Sequence, residues 1–491
     1  MRMVQSRFLT PSLIWLIAFG LLQTSLAASE KREPGRKIGD WQLSFVDTYR
    51  YENWDTFLAK KSTLDNQYKF GANRFALTLK YENNWTTFNA TVHYVKFFGL
   101  PKTASTGAGQ SYFRGNFNDQ NHSEVYFKTL NFTFKRVGDK GESLTLGRFN
   151  YSSGREFKGD NPKVETVKSS RVANRLIGMG GSTFYQRSVN GVLLNRDNGR
   201  FHWTSSYWMP TAGGNSARAG DILEDIKVFT AAGTFKYDKF IPNQEAQIFY
   251  YQYQDNRKLA GPRPDNSGKA AITGFNLRIK NFGLSLIGAY TGSKTIVDTL
   301  FWAVIQRGDW FEISHSAYAY LLETGIQWKN APWIPWLRVG FNVGSGDGNP
   351  VDGAHKTLFL ALPTTRGFAY STAYNMMNNR DAFIQLLLKP HSRTNIRMEY
   401  HRLRLAEGAD RWYSGSGAAQ DTGTSSGFTG RATGGSTDLG SSLDGWVSYN
   451  VDKKLTLILL ASRFRGGSAV ANTFGAEKNQ NLTTLEAVFT F

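Results

Sequence analysis

The sequence contains no cysteine, and this absence excludes a disulfide framework, thiol catalysis and sulfur-ligated metal sites. After the first 27 residues it has no continuous apolar run of helix-spanning length, and its mean hydropathy is −0.40. A helical membrane protein is therefore not expected. Aromatic residues, in contrast, make up 14% of the chain and 49 of its residues are glycine. This composition is typical of transmembrane β-barrels.

Acidic residues are the scarcer charge. The chain has 58 Lys and Arg against 39 Asp and Glu, and the first 27 residues contain two of the arginines and no acid. The remaining 56 basic and 39 acidic residues give a net charge of about +17. This excess predicts an anionic ligand or contact with the phosphates of lipopolysaccharide. Nucleic acid is not an expected partner, because the first residues also predict export.

Residues 1–27 have the features of a cleavable secretory signal peptide, in the usual order. Arg2 and Arg7 precede an apolar run over 13–22, and Ser25 and Ala27 are the small residues that a signal peptidase requires. The run is about half of the roughly 20 residues that a membrane anchor needs. We predict that 1–27 is removed during export by the Sec route and that 28–491 forms one domain.

Segments with a period of two recur along the chain. In 74–82 and 336–343 every second residue is apolar, and polar, glycine-rich stretches separate such segments. Barrel strands have this pattern because one face meets hydrocarbon while the other faces the lumen. We therefore predict an all-β, antiparallel up-and-down barrel in the bacterial outer membrane, with long external loops over 414–442 and 259–269.

The last residues alternate in the same way. Leu485, Ala487, Phe489 and Phe491 share one parity, and the chain stops on an aromatic residue. Barrels of this kind commonly present such a strand to the assembly machinery, so we predict that it is the last strand of the barrel. A soluble β-sandwich alternates similarly but needs a domain break to hold so many strands.

An ordered series of motifs is densest between Trp336 and Gly467. It comprises Leu146–Arg148, Gln186–Val192, Val343–Gly353, Tyr400–Ala406, Asp438–Asp444 and Phe464–Gly467. This series resembles the alginate-export family of outer-membrane barrels. The resemblance implies an 18-stranded monomeric barrel, with 16 strands as the alternative. Its lumen would be lined by Arg and Lys and would pass an anionic polysaccharide such as alginate by diffusion, with a periplasmic export partner also conceivable.

Two positions depart from the family pattern. Asn190 stands where the family tends to have an aspartate, and Ser442 stands where it tends to have an acid. Both changes remove a carboxylate. We therefore expect the polar network inside the pore to differ from that of the family, and the transported solute need not be alginate.

The expected pore-lining residues are basic, because guanidinium groups bind carboxylates bidentately without losing their charge. Alternation with outward apolar residues selects Arg74, Arg278, Arg338 and Arg397, with Lys80 in support. The resemblance adds Arg148, Arg463 and Arg465, although they share the parity of nearby leucines. Either a bulge re-aims these arginines, or the leucines pack inside against a loop. Glu399 and Asp444 are expected to hold the arginines by charge pairing. The alternative for each arginine is an interfacial contact with lipid phosphate.

No cofactor, metal or catalytic role is predicted. Residues 345–353 have the acid spacing of a calcium loop but lack the closing glutamate, and a turn explains them. His202 and His401 fall on lumen parity, but no nucleophile motif accompanies them, so an outer-membrane hydrolase is disfavoured. The Gly, Ser and Thr-rich long loop does not favour an adhesion barrel. A porin that takes up small anionic solutes such as sugar acids stays open as the alternative function.

Overall fold

A computed structural model describes residues 35–57, 66–139, 141–257, 277–364, 370–413, 430–475 and 478–491. The predicted signal peptide 1–27 and the predicted loop 259–269 lie outside the described residues. Most of the predicted loop 414–442 does so as well.

In the described part of the chain, eighteen long strands, each antiparallel to its neighbours, form one closed sheet. In chain order they are β2 (Trp41–Asp55), β3 (Gln67–Glu82), β4 (Thr86–Phe98), β5 (Ser123–Lys135), β6 (Glu142–Phe149), β7 (Val189–Asp197), β8 (Phe201–Pro210), β9 (Ile226–Phe235), β10 (Gln244–Asp255), β11 (Leu277–Thr291), β12 (Thr295–Trp310), β13 (Ile313–Trp328), β14 (Trp336–Gly344), β16 (Asn379–His391), β17 (Thr394–Leu405), β20 (Asp438–Asn450), β21 (Leu455–Gly466) and β22 (Asn479–Thr490). The short elements are β1 (Arg36–Ile38), β15 (Ala354–His355), β18 (Trp412–Tyr413), β19 (Gly430–Arg431), α1 (Ala108–Gly115), α2 (Pro162–Val167), a π-helical turn (Lys168–Val172) and α3 (Ser468–Phe474).

The barrel closes where β2 pairs with β22 on one side and with β3 on the other. At the end of the chain Phe45 and Phe491 exchange two backbone hydrogen bonds of 3.0 Å, and their rings stack with centroids 4.6 Å apart. The predicted antiparallel barrel with 18 strands is confirmed, and the alternative of 16 strands is wrong. Within the described ranges, no helix is long and apolar enough to cross a membrane.

Side chains alternate between the outer face and the interior along each strand. On β21, Leu457 and Leu459 are 43% and 44% exposed, whereas Ile458 and Leu460 between and beside them are 6% and 8% exposed. The outward apolar side chains form the belt that meets lipid hydrocarbon. Parity along a strand therefore tells which side chains enter the lumen.

The connections differ in length at the two ends of the barrel. Residues 83–85, 198–200 and 292–294 are short turns at one end, while 99–122 and 150–188 are long loops at the other. In barrels of this class the short turns face the periplasm and the long loops face the cell exterior. The long-loop end of this barrel therefore faces the cell exterior, and the short-turn end faces the periplasm.

Two long loops fold into the barrel. The first inward segment is 150–188, and the second inward segment is the described part of 345–378. Val167 and Leu360, one from each segment, are 0% exposed, and an isolated parallel bridge joins Ile177 to Leu362. The two segments therefore pack against each other and fill much of the interior.

The apolar outer belt predicts that the cost of an added charge depends on its depth in the membrane. Leu284 lies on the outer face of β11 and is 42% exposed. We expect Leu284→Arg to lower the free energy of unfolding in lipid vesicles by about 2–4 kcal/mol, because the cation enters hydrocarbon. Ser293→Arg, in the turn after the same strand, is expected to cost about 0–1 kcal/mol. Equal losses in urea titrations of the two variants would contradict the assigned outer face.

Candidate functional site

Arginines of β2 and β3 reach from the barrel wall to the first inward segment. Arg50 donates from Nη1 to the carbonyl of Ser182 at 2.8 Å, and its Nε lies 2.6 Å from Glu486 Oε2. Arg74 donates from Nη1 to the carbonyl of Thr183 at 3.1 Å. Two consecutive peptide groups of the segment are thus held against this wall by guanidinium groups.

Buried ion pairs join the first inward segment to the wall formed by β12, β13 and β14. Arg171 binds Glu323 through Nε and Nη2 at 2.8 and 3.0 Å. Arg338 Nη2 lies 3.1 Å from Asp298 Oδ1 and 3.3 Å from Glu323 Oε2, and all three side chains are 0% exposed. Arg175 Nη2 also lies 3.9 Å from Glu323 Oε1, so one carboxylate serves three guanidinium groups. At this depth the charges are stable only together, because each would otherwise be desolvated without compensation.

A third cluster lies where β16 and β17 face the interior. Arg397 Nη2 is 2.8 Å from Glu399 Oε2, and the Arg397 guanidinium lies over the ring of Tyr370, 5.3 Å from its centroid. His401 Nδ1 is 2.9 Å from Asp381 Oδ1. Glu399 therefore pairs with an arginine, as the sequence led us to expect of it.

The other expected supporting acid has different partners. Asp444 Oδ1 accepts hydrogen bonds from the hydroxyls of Ser442 and Ser462, at 3.0 and 2.5 Å. No ion pair among the described residues includes Asp444. Ser442, one of the two departures from the family pattern, thus binds the acid that we expected to bind an arginine.

Further cations come from α2 and the π-helical turn. Lys163 Nζ lies 3.4 Å from the centre of the Trp336 ring, and burial lowers the pKa of Lys163 to about 7. Lys168 Nζ is 2.7 Å from Glu245 Oε1 on β10. The first inward segment therefore carries its own basic side chains into the lumen.

Sequence reasoning missed these residues. Lys163, Lys168 and Arg171 lie outside every period-two segment, which was the criterion used for the lumen. Asn161 and Pro162 do give a helix start, since Asn161 Oδ1 accepts from the backbone nitrogens at N2 and N3 and proline occupies N1. The sequence shows that a helix begins there but not that it lies inside a barrel.

The structure places the predicted pore-lining residues on both faces of the barrel. Arg74, Arg338 and Arg397 face inward, and so does Lys80, near the short-turn end and 2.5 Å from Glu82. In contrast to the expectation, four arginines lie on the outer face: Arg148, Arg278, Arg463 and Arg465.

The outward placement has a packing cause. Near the long-loop end the inward positions are taken by apolar side chains: Leu277 and Ile279 flank Arg278, and Phe464 lies between Arg463 and Arg465, each 0% exposed. β21 pairs with β20 and β22 without a register shift, so no bulge re-aims its arginines.

Arg148 is also accounted for on the outer face. Its Nε donates to Asn190 Oδ1 at 2.9 Å, and its terminal nitrogens donate to the carbonyls of Phe127 and Gly220. Asn190, the other departure from the family pattern, therefore bonds to Arg148 outside the lumen. The expected effect of Asn190 on the pore interior is not what the structure shows.

The acids of the calcium-like loop and the ring of His202 are engaged in local hydrogen bonds. In the calcium-like loop, Asp347 Oδ1 accepts from the Asn349 nitrogen at 3.2 Å and Asp352 Oδ1 accepts from the Ala354 nitrogen at 3.1 Å, as in ordinary turns. His202 contacts Asp197 and Thr204, at 3.2 and 3.0 Å. In the part of the chain that the structure describes, neither His202 nor His401 is hydrogen-bonded to a serine.

A closed 18-stranded barrel with an apolar belt and inward-folded loops defines an outer-membrane channel. The chain belongs to the alginate export family, whose model matches residues 42–483. No curated protein matches the chain.

Solved outer-membrane proteins share the fold at low sequence identity. Acinetobacter baumannii OccAB2 has a TM-score of 0.59 and 11% identity over 92% of this chain and 98% of its own. Acinetobacter baumannii OccAB4 has a TM-score of 0.57 and 10% identity, with the same coverage of both chains. Pseudomonas aeruginosa OpdK, solved with vanillate, has a TM-score of 0.56 and 8% identity over 92% and 99%.

The buried ion-pair cluster generates a stability prediction. We expect Arg338→Met to lower the free energy of unfolding by about 3–5 kcal/mol, because Asp298 and Glu323 lose a shared counter-charge. Adding Asp298→Asn is expected to restore part of that loss. The matched exposed variant is Arg196→Met, whose side chain is 61% exposed and pairs with Asp139 and Glu142 at 3.3 Å each. It is expected to lose less than about 1 kcal/mol in the same urea titration. Similar losses for the two variants would contradict the assigned burial.

Proposed function

We propose that the channel passes anionic saccharides, such as alginate or smaller sugar acids, by diffusion along its inward-facing guanidinium groups. The observation that carries the proposal is the shared carboxylate: Arg171 of the inward segment and Arg338 of the wall both bind Glu323. A uronate carboxylate offers guanidinium the same planar, bidentate partner.

Passage on this proposal is a series of added contacts. The wall acids neutralise part of the arginines' charge and keep their partners, and a solute carboxylate binds the guanidinium groups beside them as it moves. Transport requires many sites of moderate strength, because a single tight site would retain the solute. The arrangement of Arg171, Arg338 and Arg397 on three elements supplies such a series.

Arg74 is the proposed first docking point for a carboxylate. No ion pair among the described residues includes Arg74, and its guanidinium donates to the peptide carbonyl of Thr183 instead. A charged carboxylate is a stronger acceptor for guanidinium than a neutral carbonyl, so a solute displaces this contact first.

Uptake of small anionic solutes is the second candidate. The similar barrel OpdK was solved with vanillate, which supports passage of small molecules through this fold. The first inward segment and the described part of the second inward segment also narrow the lumen, which favours small solutes unless the segments move. Whichever way the solute moves, we infer that residues 1–27 direct secretion of the protein itself. Export of a polymer would in addition need a periplasmic partner.

Ion selectivity tests the role of Arg74. In planar bilayers with a KCl gradient, we expect anion selectivity and a fall of roughly twofold in the anion-to-cation permeability ratio for Arg74→Gln. Arg278→Gln removes the same charge from the outer face and is expected to leave the ratio unchanged. The proposal fails if Arg74→Gln keeps the wild-type ratio, or if Arg278→Gln lowers it equally.

Solute length separates the two candidates. We expect polyuronate of defined length, added at the short-turn end, to block the current transiently, with block that is relieved as the driving voltage rises. Vesicles that hold the protein should then accumulate polymer. If monomeric sugar acids cross while oligomers only block, uptake of small solutes is the function and polymer passage is excluded.

A further inference from the structure

A group of arginines lies on the outer face at the long-loop end of β16, β17 and β21, with β20 between the last two. On β21, Arg463 and Arg465 are exposed, and they carry no hydrogen bond or ion pair among the described residues. Ser441 of β20 lies opposite Arg465 of β21 on one side and opposite Arg402 of β17 on the other. Arg402 and Arg465 are therefore at the same height on the barrel. The outer-rim arginines, as defined here, are Arg380, Arg402, Arg404, Arg463 and Arg465.

Little acidic charge offsets these side chains. Arg402 pairs with Asp438 at 2.8 Å, and Arg404 lies directly opposite Arg380 in the β16–β17 register. Like charges opposite each other on a sheet repel, so Arg380 and Arg404 destabilise each other unless an anion lies between them. The patch is therefore complementary to a polyanionic partner.

An apolar groove lies below the outer-rim arginines on the same outer face. It has a volume of about 560 Å³ and is lined by Tyr449, Leu457, Leu459, Ala487, Tyr49 and Tyr51 from β20, β21, β22 and β2. Ala487 faces Tyr49 and Leu457 in register, and its small side chain leaves the space between those larger ones.

The groove and the arginines lie on one line. Leu457, Leu459, Arg463 and Arg465 all have the outward parity of β21. Arg463 comes four residues after Leu459, which corresponds to about 13 Å along a strand. An acyl chain in the groove would thus continue upward into a headgroup at the height of the arginines.

We propose that this face is a specific seat for a phosphorylated, acylated lipid of the outer leaflet, with the chemistry of lipid A. Its phosphates bind Arg463 and Arg465, with Arg402 and Arg404 beside them, and one acyl chain occupies the groove. Arginine is suited to this role because its planar guanidinium binds phosphate bidentately. The seat is independent of what passes through the lumen.

The test is a titration of the full chain in detergent, with bound lipid read by native mass spectrometry. The probe is bisphosphorylated lipid A, compared with the same lipid after removal of its phosphates. We expect the doubly substituted Arg463→Gln/Arg465→Gln variant to weaken lipid A binding by about 30-fold, at about one kcal/mol for each arginine near a membrane surface. Dephosphorylated lipid A should bind the wild type with a similar loss.

Two further variants separate the parts of the seat. Ala487→Phe fills the groove and is expected to weaken lipid A binding without removing a charge. Arg196→Gln removes an exposed arginine at the short-turn end and is expected to leave binding unchanged. Circular dichroism and heat-dependent gel mobility check that each variant is folded.

Several results would overturn the proposal. Wild-type affinity in the Arg463→Gln/Arg465→Gln variant, or an equal loss in Arg196→Gln, shows that the arginines form no specific site. Wild-type affinity in Ala487→Phe, or displacement of the lipid by millimolar inorganic phosphate, shows that the groove holds no acyl chain.

Discussion

Closure of the hydrogen-bond ladder is the constraint on which the rest of this structure depends. Hydrocarbon offers no hydrogen-bond partner for the backbone of an open strand edge, so β2 pairs with β22 as well as with β3. The bonds between Phe45 and Phe491 complete that seam at the end of the chain. Once the sheet is closed, every strand has one face in lipid and one in the lumen. The alternation of exposed and buried side chains follows from the pleat of each strand together with this closure.

The closed wall also explains why acids accompany the arginines inside. Asp298, Glu323 and Arg338 are 0% exposed, and an unpaired guanidinium at such a depth would be costly. Glu323 accordingly pairs with three arginines, and Glu399 pairs with Arg397. Acids of the wall thus offset part of the positive charge of the interior, while Arg74 donates to a peptide carbonyl instead.

Much of the fold could be predicted from the sequence, because period-two alternation is a local property of each strand. The faces of the long-loop ends could not. There the strands rise above the hydrocarbon, so an outward arginine is no longer penalised, and inward positions become apolar against the packed segments. Arg278 was expected in the lumen on parity and Arg463 on resemblance, yet Leu277 and Phe464 occupy the interior beside them. The cations of 150–188 were missed because the packing of a loop inside a barrel depends on the whole wall.

The two departures from the family pattern have unequal weight once they are placed in the barrel. Asn190 lies on the outer face and bonds to Arg148, so its missing carboxylate changes no contact of a solute in the lumen. Ser442 faces the interior and donates to Asp444, which leaves that acid bound to hydroxyls and away from the arginines. Of the two departures, Ser442 is therefore the one that changes a contact inside the barrel. Because hydroxyl groups bind Asp444, Glu399 is the one acid among the described residues that pairs with Arg397. On the proposed function, fewer wall acids then compete for Arg397 at that height of the pore.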